Sequence, residues 1–159
     1  ERKYVFNPFQ LVMNRGHYYL VGNHENYDDM STLRVDRIAH VTVLNERRKP
    51  LREIKGYQQQ RTFNVSQYVK EHIYMFGGES ITVTFKAKRS IVNQILDWFD
   101  GNVEFTNITA DNVVCRVRVN HDAFKYWALQ YMQSVKVLTP ASLVTEVKAA
   151  IEEGLHQYS

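Results

Sequence analysis

The sequence predicts an α+β protein in two parts: a small β-barrel, then a two-layer βαββαβ domain closed by an extra helix. Two observations carry that expectation. The first part breaks into short aromatic and β-branched runs separated by turn residues, and the second repeats a strand–helix–strand pattern twice.

In chain order, the turn-like Asn14-Arg15-Gly16 precedes Tyr18-Tyr19-Leu20-Val21-Gly22, a β-favouring run. The polar stretch Asn23 to Asp29 reads as a loop or hairpin connection. Thr32-Leu33-Arg34-Val35 and then Ile38 to Leu44, containing Val41-Thr42-Val43, read as further strands. Closely spaced short strands suggest an Sm- or SH3-like barrel, which needs about five strands to close. Only three or four are visible, so the barrel is expected either to be incomplete at its N-terminus or to be completed by something else. Residues 1–56 are assigned to this domain and 57–71 to a linker, in which Phe63, Val65, Tyr68 and Val69 could anchor a short helix.

Residues 72–159 carry the duplication. Ser80 to Phe85 alternates as a strand, and Ser90 is placed to cap a helix with Ile91, Ile95, Leu96 and Phe99 on one face. Asp100-Gly101 should end it before Val103-Glu104-Phe105. The cycle then recurs: strand Val113 to Val119, a helix capped by Asp122 that bears Phe124, Trp127, Ala128 and Tyr131, and strand Val135 to Leu138. Two such units make a ferredoxin-like arrangement. Thr139-Pro140 is read as cap and first residue of a last helix with Leu143, Val147, Ala150, Ile151 and Leu155 on its apolar face.

Of the 159 residues, 44% are hydrophobic and 23% charged, ordinary for a globular chain. No apolar run approaches the roughly 18–20 residues that cross a bilayer. Glu1-Arg2-Lys3-Tyr4 lacks the apolar core of a secretion signal, and the one cysteine, Cys115, fits a reducing compartment; the cytoplasm is expected, with no membrane partner. Net charge is +3, unevenly spread: residues 1–61 hold 11 Lys+Arg against 7 Asp+Glu, and residues 62–159 hold 9 against 10. A local excess of this size can attract an anion or be simply solvated.

The sequence carries no recognisable catalytic or cofactor pattern, and a non-enzyme without cofactor or metal is expected. Six histidines lack metal-ligand spacing and there is no second cysteine for a zinc site. Gly77-Gly78 is an isolated pair, not a phosphate cradle, and no serine sits in a nucleophile elbow. Alternation in Val113-Val114-Cys115-Arg116-Val117 points Cys115 into the core.

The ordered series Pro8, Leu11, Gly16, Tyr18-Tyr19-Leu20-Val21-Gly22 and Leu33-Arg34-Val35-Asp36-Arg37-Ile38 resembles the WYL domain of bacterial transcription regulators, over about residues 4 to 54. Tyr18 stands where that family most often has tryptophan, and the family's opening strand is largely absent upstream of Glu1. Residues 72 to 156, with Trp127-Ala128-Leu129 and Val137-Leu138-Thr139-Pro140, resemble the C-terminal extension (WCX) that often follows it. The winged helix-turn-helix that usually precedes the domain is not in this sequence. The resemblance therefore implies part of a longer, dimeric regulator that meets duplex DNA only through that absent element. It implies an effector-sensing region for an anionic ligand, single-stranded DNA or a nucleotide, and places the ligand role on Tyr19, Arg34 and Arg37, with His17 as a weaker fourth.

The residue chemistry is compatible, because guanidinium forks grip phosphate through paired hydrogen bonds and tyrosine offers a ring for stacking. Equally, Arg34 and Arg37 could pair with Asp36 and Asp29 on the barrel surface. Residues three apart on an unbroken strand face opposite ways, so the two arginines share a site only if the chain ends, bends or bulges near Asp36. Tyr18 and Tyr19 also face oppositely; Tyr18 is expected in the core and Tyr19 toward the ligand. A second polyanion contact is expected on the open face of the ferredoxin-like sheet, at Lys86, Lys88, Arg116 and Arg118 with Lys136 on the neighbouring edge; the alternatives are a solvated face or one covered by the last helix. A ligand-free dimerisation module and a small-anion sensor are the competing functions.

Overall fold

A computed structural model describes residues 3–99 and 101–159, and the chain divides into two units: residues up to Val69 with Met75–Glu79, and Lys70–Tyr74 with Ser80–Ser159. The expected helix stop at Asp100 lies outside the described residues.

The first unit is a three-stranded antiparallel sheet in the order β1 (Phe6–Asn14), β2 (His17–His24), β3 (Ser31–Arg34). Arg15 and Gly16 join β1 to β2 with φ of 49° and 80°, both left-handed, and Asn14 faces His17 across the turn. Two left-handed central residues match the twist of a two-residue hairpin. β1 was not foreseen as a strand. Its alternation is interrupted where the register shifts between Pro8 and Gln10, and the strand lies at the sheet edge, where proline is tolerated. Asn23, fully buried, donates from Nδ2 to the carbonyls of Tyr27 and Asp29 at 2.8 Å each, which pins the loop before β3.

The strand expected over Ile38 to Leu44 does not form; this is a correction. Val41 and Val43 are 77% and 90% exposed and no ladder partner runs beside them. β-propensity is realised only against a neighbouring strand and a surface to bury. The sheet is therefore open among the described residues, with three strands and no closed barrel. Residues 48 and 49 return to β1, where Arg48 donates to the Pro8 carbonyl and the Lys49 amide donates to Asn7 Oδ1, both at 2.8 Å.

α1 (Val65–Glu71) begins at Asn64, whose side chain accepts from the Gln67 amide at 3.0 Å. Its Tyr68 is buried beside Val12, Val21, Met30, Ile54 and Met75, and its hydroxyl lies 2.8 Å from Thr32 Oγ1. Burial pushes the Tyr68 phenol up to about 12, partly opposed by the Thr32 hydrogen bond.

The second unit is the ferredoxin-like domain: β4 (Ser80–Lys88), α2 (Val92–Phe99), β5 (Val103–Ile108), β6 (Asn112–Asn120), α3 (His121–Gln130), β7 (Val135–Thr139) and the added α4 (Ala141–His156). The sheet order is β5-β6-β4-β7, all antiparallel, with β4 and β6 central. Val83, Phe85 and Ala87 on β4 and Val113, Cys115, Val117 and Val119 on β6 are buried against Ile95, Phe99, Phe124, Trp127 and Leu143 from the helices.

The three helices α2, α3 and α4 each differ in detail from expectation. The Asn120 side chain, not Asp122, caps α3 by accepting from the Ala123 amide at 3.0 Å; Asp122 lies in the first turn. Arg89–Ile91 forms a short 3-10 turn ahead of α2, and Leu96 faces solvent because its position falls beside the Ile95–Phe99 stripe. Pro140 takes the cap position of α4, and Leu155 lies beyond the part of that helix that reaches the core.

Candidate functional site

Tyr19 on β2 and Arg34 on β3 are direct cross-strand partners, so their side chains leave the same face of the sheet. His17, two residues before Tyr19, shares that face, and the two rings meet edge-on with centroids 6.5 Å apart. β3 ends at Arg34, and Val35–Arg37 is a single 3-10 turn. That turn folds Asp36 back onto the guanidinium. Arg34 Nε donates to Oδ1 at 3.0 Å and Nη2 to Oδ2 at 2.6 Å, a two-bond fork. Nη2 also lies 3.1 Å from His17 Nδ1. A guanidinium can only donate, so this contact is a hydrogen bond in the tautomer whose Nδ1 accepts.

The pairing shifts both partners. The hydrogen bond to Arg34 holds the Asp36 carboxyl below the usual carboxylate range, and the same bond raises the Arg34 guanidinium further above its ordinary value. Asp36 therefore remains a competing anion at any ordinary pH. Arg37 is exposed at the end of the 3-10 turn and makes no ion pair among the described residues. The structure thus brings His17, Tyr19 and Arg34 together with Asp36, and leaves Arg37 outside that contact set.

The tyrosine orientation is the reverse of the expectation for Tyr18. Tyr18 is exposed and paired with Met13, whereas Tyr19 is half-buried against the core of Val12 and Val21. The one-residue alternation was legible; which face would be covered depended on α1 and Ile54, distant in sequence.

In the second unit Lys86, Lys88, Arg116 and Arg118 are all exposed on the sheet face away from the helices. α4 packs on α3 and β7 through Leu143, Val144 and Val147, so it does not cover that face. Arg118 Nε lies 3.3 Å from Glu71 Oε1. Glu71 was not anticipated as a partner, because no local signal links it to β6.

Cys115 is buried and its thiol is pushed up to about 11 by desolvation, which keeps it protonated at neutral pH. Among the described residues no group of three His, Cys, Asp or Glu side chains could hold a metal ion, and no helix is long and apolar enough to cross a membrane.

The model of the WYL domain matches residues 1–43, and that of the WCX domain matches residues 78–155. No curated protein matches the sequence. Among solved structures the chain is similar to proteasome accessory factor B/C (PafBC) of Arthrobacter aurescens, at 19% identity and a TM-score of 0.47, over 97% of this chain and 22% of that one. It is also similar to a CRISPR Cas-related protein, at 14% identity and a TM-score of 0.55, over 99% of this chain and 44% of that one. The chain spans less than half the length of either, and the second likeness is one of fold. The chain carries a WYL domain at residues 1–43 followed by a WCX domain at residues 78–155.

Proposed function

We propose that this chain is the effector-sensing region of a transcription regulator, and that it takes an anionic ligand of nucleic-acid type, single-stranded DNA or a nucleotide, at His17, Tyr19, Arg34 and Arg37. The observation that carries this reading is the Arg34 fork, held at a strand end beside Tyr19 and His17 and occupied by the carboxylate of Asp36. A phosphate offers the same paired acceptors, so an incoming ligand would exchange with Asp36. Arg37, which makes no ion pair among the described residues, supplies the added attraction that favours the ligand over the internal carboxylate. Exchange would release the 3-10 turn, and that difference between bound and free arrangements is what sensing requires. In the full regulator the change is carried to a DNA-binding part and to a homodimer.

Fluorescence anisotropy with labelled mononucleotide and oligonucleotide at two salt concentrations tests this. Arg34→Ala should weaken binding by about tenfold or more, since a hydrogen bond to a charged group is worth about 1.5–3 kcal/mol. Asp36→Asn should tighten it by freeing the fork. Unchanged affinity in both variants sinks the reading. An oligonucleotide should show a steep salt dependence and a mononucleotide or other small anion a shallow one.

A ligand-free dimerisation module is the second reading, favoured by the exposed apolar Leu11, Met13 and Tyr18 on the sheet. It requires concentration-dependent association that persists when Arg34 and Arg37 are both alanine.

A further inference from the structure

The open face of the four-stranded sheet carries its cations in a narrow band across three neighbouring strands. Lys88, Lys86, Thr84 and Thr82 point to it from β4, each two residues from the next, so their levels lie about 6.8 Å apart. The register sets Lys136 of β7 beside Lys86, Arg116 of β6 beside Thr84, and Arg118 beside Thr82. Four successive levels therefore each hold a cation: Lys88, then Lys86 with Lys136, then Arg116, then Arg118, over about 20 Å. Lys86, Lys88, Arg116 and Lys136 are exposed and make no ion pair among the described residues. Two acids border the run, Glu104 across from Arg116 and Glu71 at Arg118.

This arrangement costs stability. Lys86 and Lys136 are direct cross-strand neighbours, and like charges so placed repel unless an anion lies over them. Between the cations the face bears Thr82, Thr84, Val114 and Thr106, while Phe85 is buried in the core and Phe105 packs against it. Among the described residues the sheet face therefore offers charge and no strand residue with a ring for a base to stack on.

We infer that this face binds the sugar-phosphate backbone of an extended single strand of nucleic acid, about one phosphate per level, without reading its bases. The level spacing is about twice the 3.4 Å axial separation of phosphates along one strand of a duplex, and suits a strand drawn out of the stack. The cations come from three adjacent strands, so the band is about 10 Å wide and about 20 Å long, and an elongated band fits a linear polyanion better than a membrane surface, which presents anions in two dimensions. The inference does not rest on the Arg34 reading, and the two sets of variants are separate.

The test is binding of a labelled oligothymidylate, and of a duplex of the same length, to the full chain across a salt series. Four phosphates at about 0.7 each predict a slope of about −3 for log affinity against log salt. The double variant Lys86→Gln with Arg116→Gln should flatten the slope by about 1.4 and weaken binding by at least about tenfold in moderate salt. Glu104→Gln should tighten binding, a gain that misfolding cannot imitate. The idea is overturned if the double variant keeps the affinity and slope of the unaltered chain. It is equally overturned by tighter binding of the duplex, or by no saturable binding at low salt.

Discussion

Both units are built on an antiparallel sheet, but they cover it differently. In the WCX domain the two central strands of the four-stranded sheet have one face fully covered: Val83, Phe85, Cys115 and Val119 are completely buried under the helices. Phe85, Phe99, Phe124 and Trp127 form one contiguous ring cluster, with centroid separations from 4.8 Å for Phe99–Trp127 to 6.2 Å for Phe85–Phe99. In the first unit the three-stranded sheet buries Val12 and Val21 on one face, while Leu11, Met13 and Tyr18 remain 54%, 67% and 56% exposed. The difference teaches where adaptability resides. Regions with few buried contacts open at low free-energy cost, and elements that respond to ligands are drawn from them. The ligand-candidate residues belong to the unit with the smaller buried core, and the second basic face is displayed on the unit with the larger one.

The contrast can be broken or sharpened by four measurements, in descending order of effect. Trp127→Ala should destabilise the WCX domain by about 3–5 kcal/mol, because it empties the centre of the ring cluster. Denaturant unfolding, read with hydrogen exchange on β4 and β6, checks it; a cost typical of a surface change would show that this core is not the scaffold described.

The second measurement is alkaline titration of the first unit. The phenol of Tyr68 lies at about 12 in the folded chain against 10.0 for an ordinary tyrosine, so the native state favours the protonated form. Its contribution is complete below pH about 10 and is lost as pH rises toward about 12, to the extent of roughly 2–3 kcal/mol. Tyr68→Phe should remove that alkaline loss. If tyrosine absorbance shows every residue ionising together near the ordinary value, Tyr68 is not buried as described.

Third, a Cβ at Gly22 would fall into the Asn7 carbonyl and the Phe6 ring across the β1–β2 pairing. Gly22→Ala should therefore cost about 1–3 kcal/mol and lower amide protection along β1. Unchanged protection would mean that this hairpin is loose enough to yield. Last and smallest, Asn120→Ala should cost about 1 kcal/mol, whereas Asp122→Ala should cost only a few tenths, since one caps α3 and the other merely lies near its dipole. The reverse ranking would return the cap to Asp122.

Legibility followed the same division. The WCX elements were readable because strand alternation and helical apolar spacing recur twice, and register then placed Lys86, Lys136 and Arg116 on one face. The first unit was less readable. β1 was hidden by Pro8 and its bulge, and Val41-Thr42-Val43 carried strand propensity with no partner to pair with. Arg34 and Asp36 were visible as a candidate pair, but their fork required β3 to end at Arg34 and the chain to coil into a 3-10 turn.

By itself, the sequence determined the two-part α+β organisation, the duplicated strand–helix–strand units and the inward side of Val83, Phe85, Cys115 and Val117, because periodicity is a local property of the chain. Tertiary structure alone decided that Tyr19 rather than Tyr18 meets the core, that Asp36 occupies Arg34, and that Glu71 reaches Arg118. Each of those outcomes depends on what packs over a face or where a strand stops, and neither is encoded in the residues that display the result.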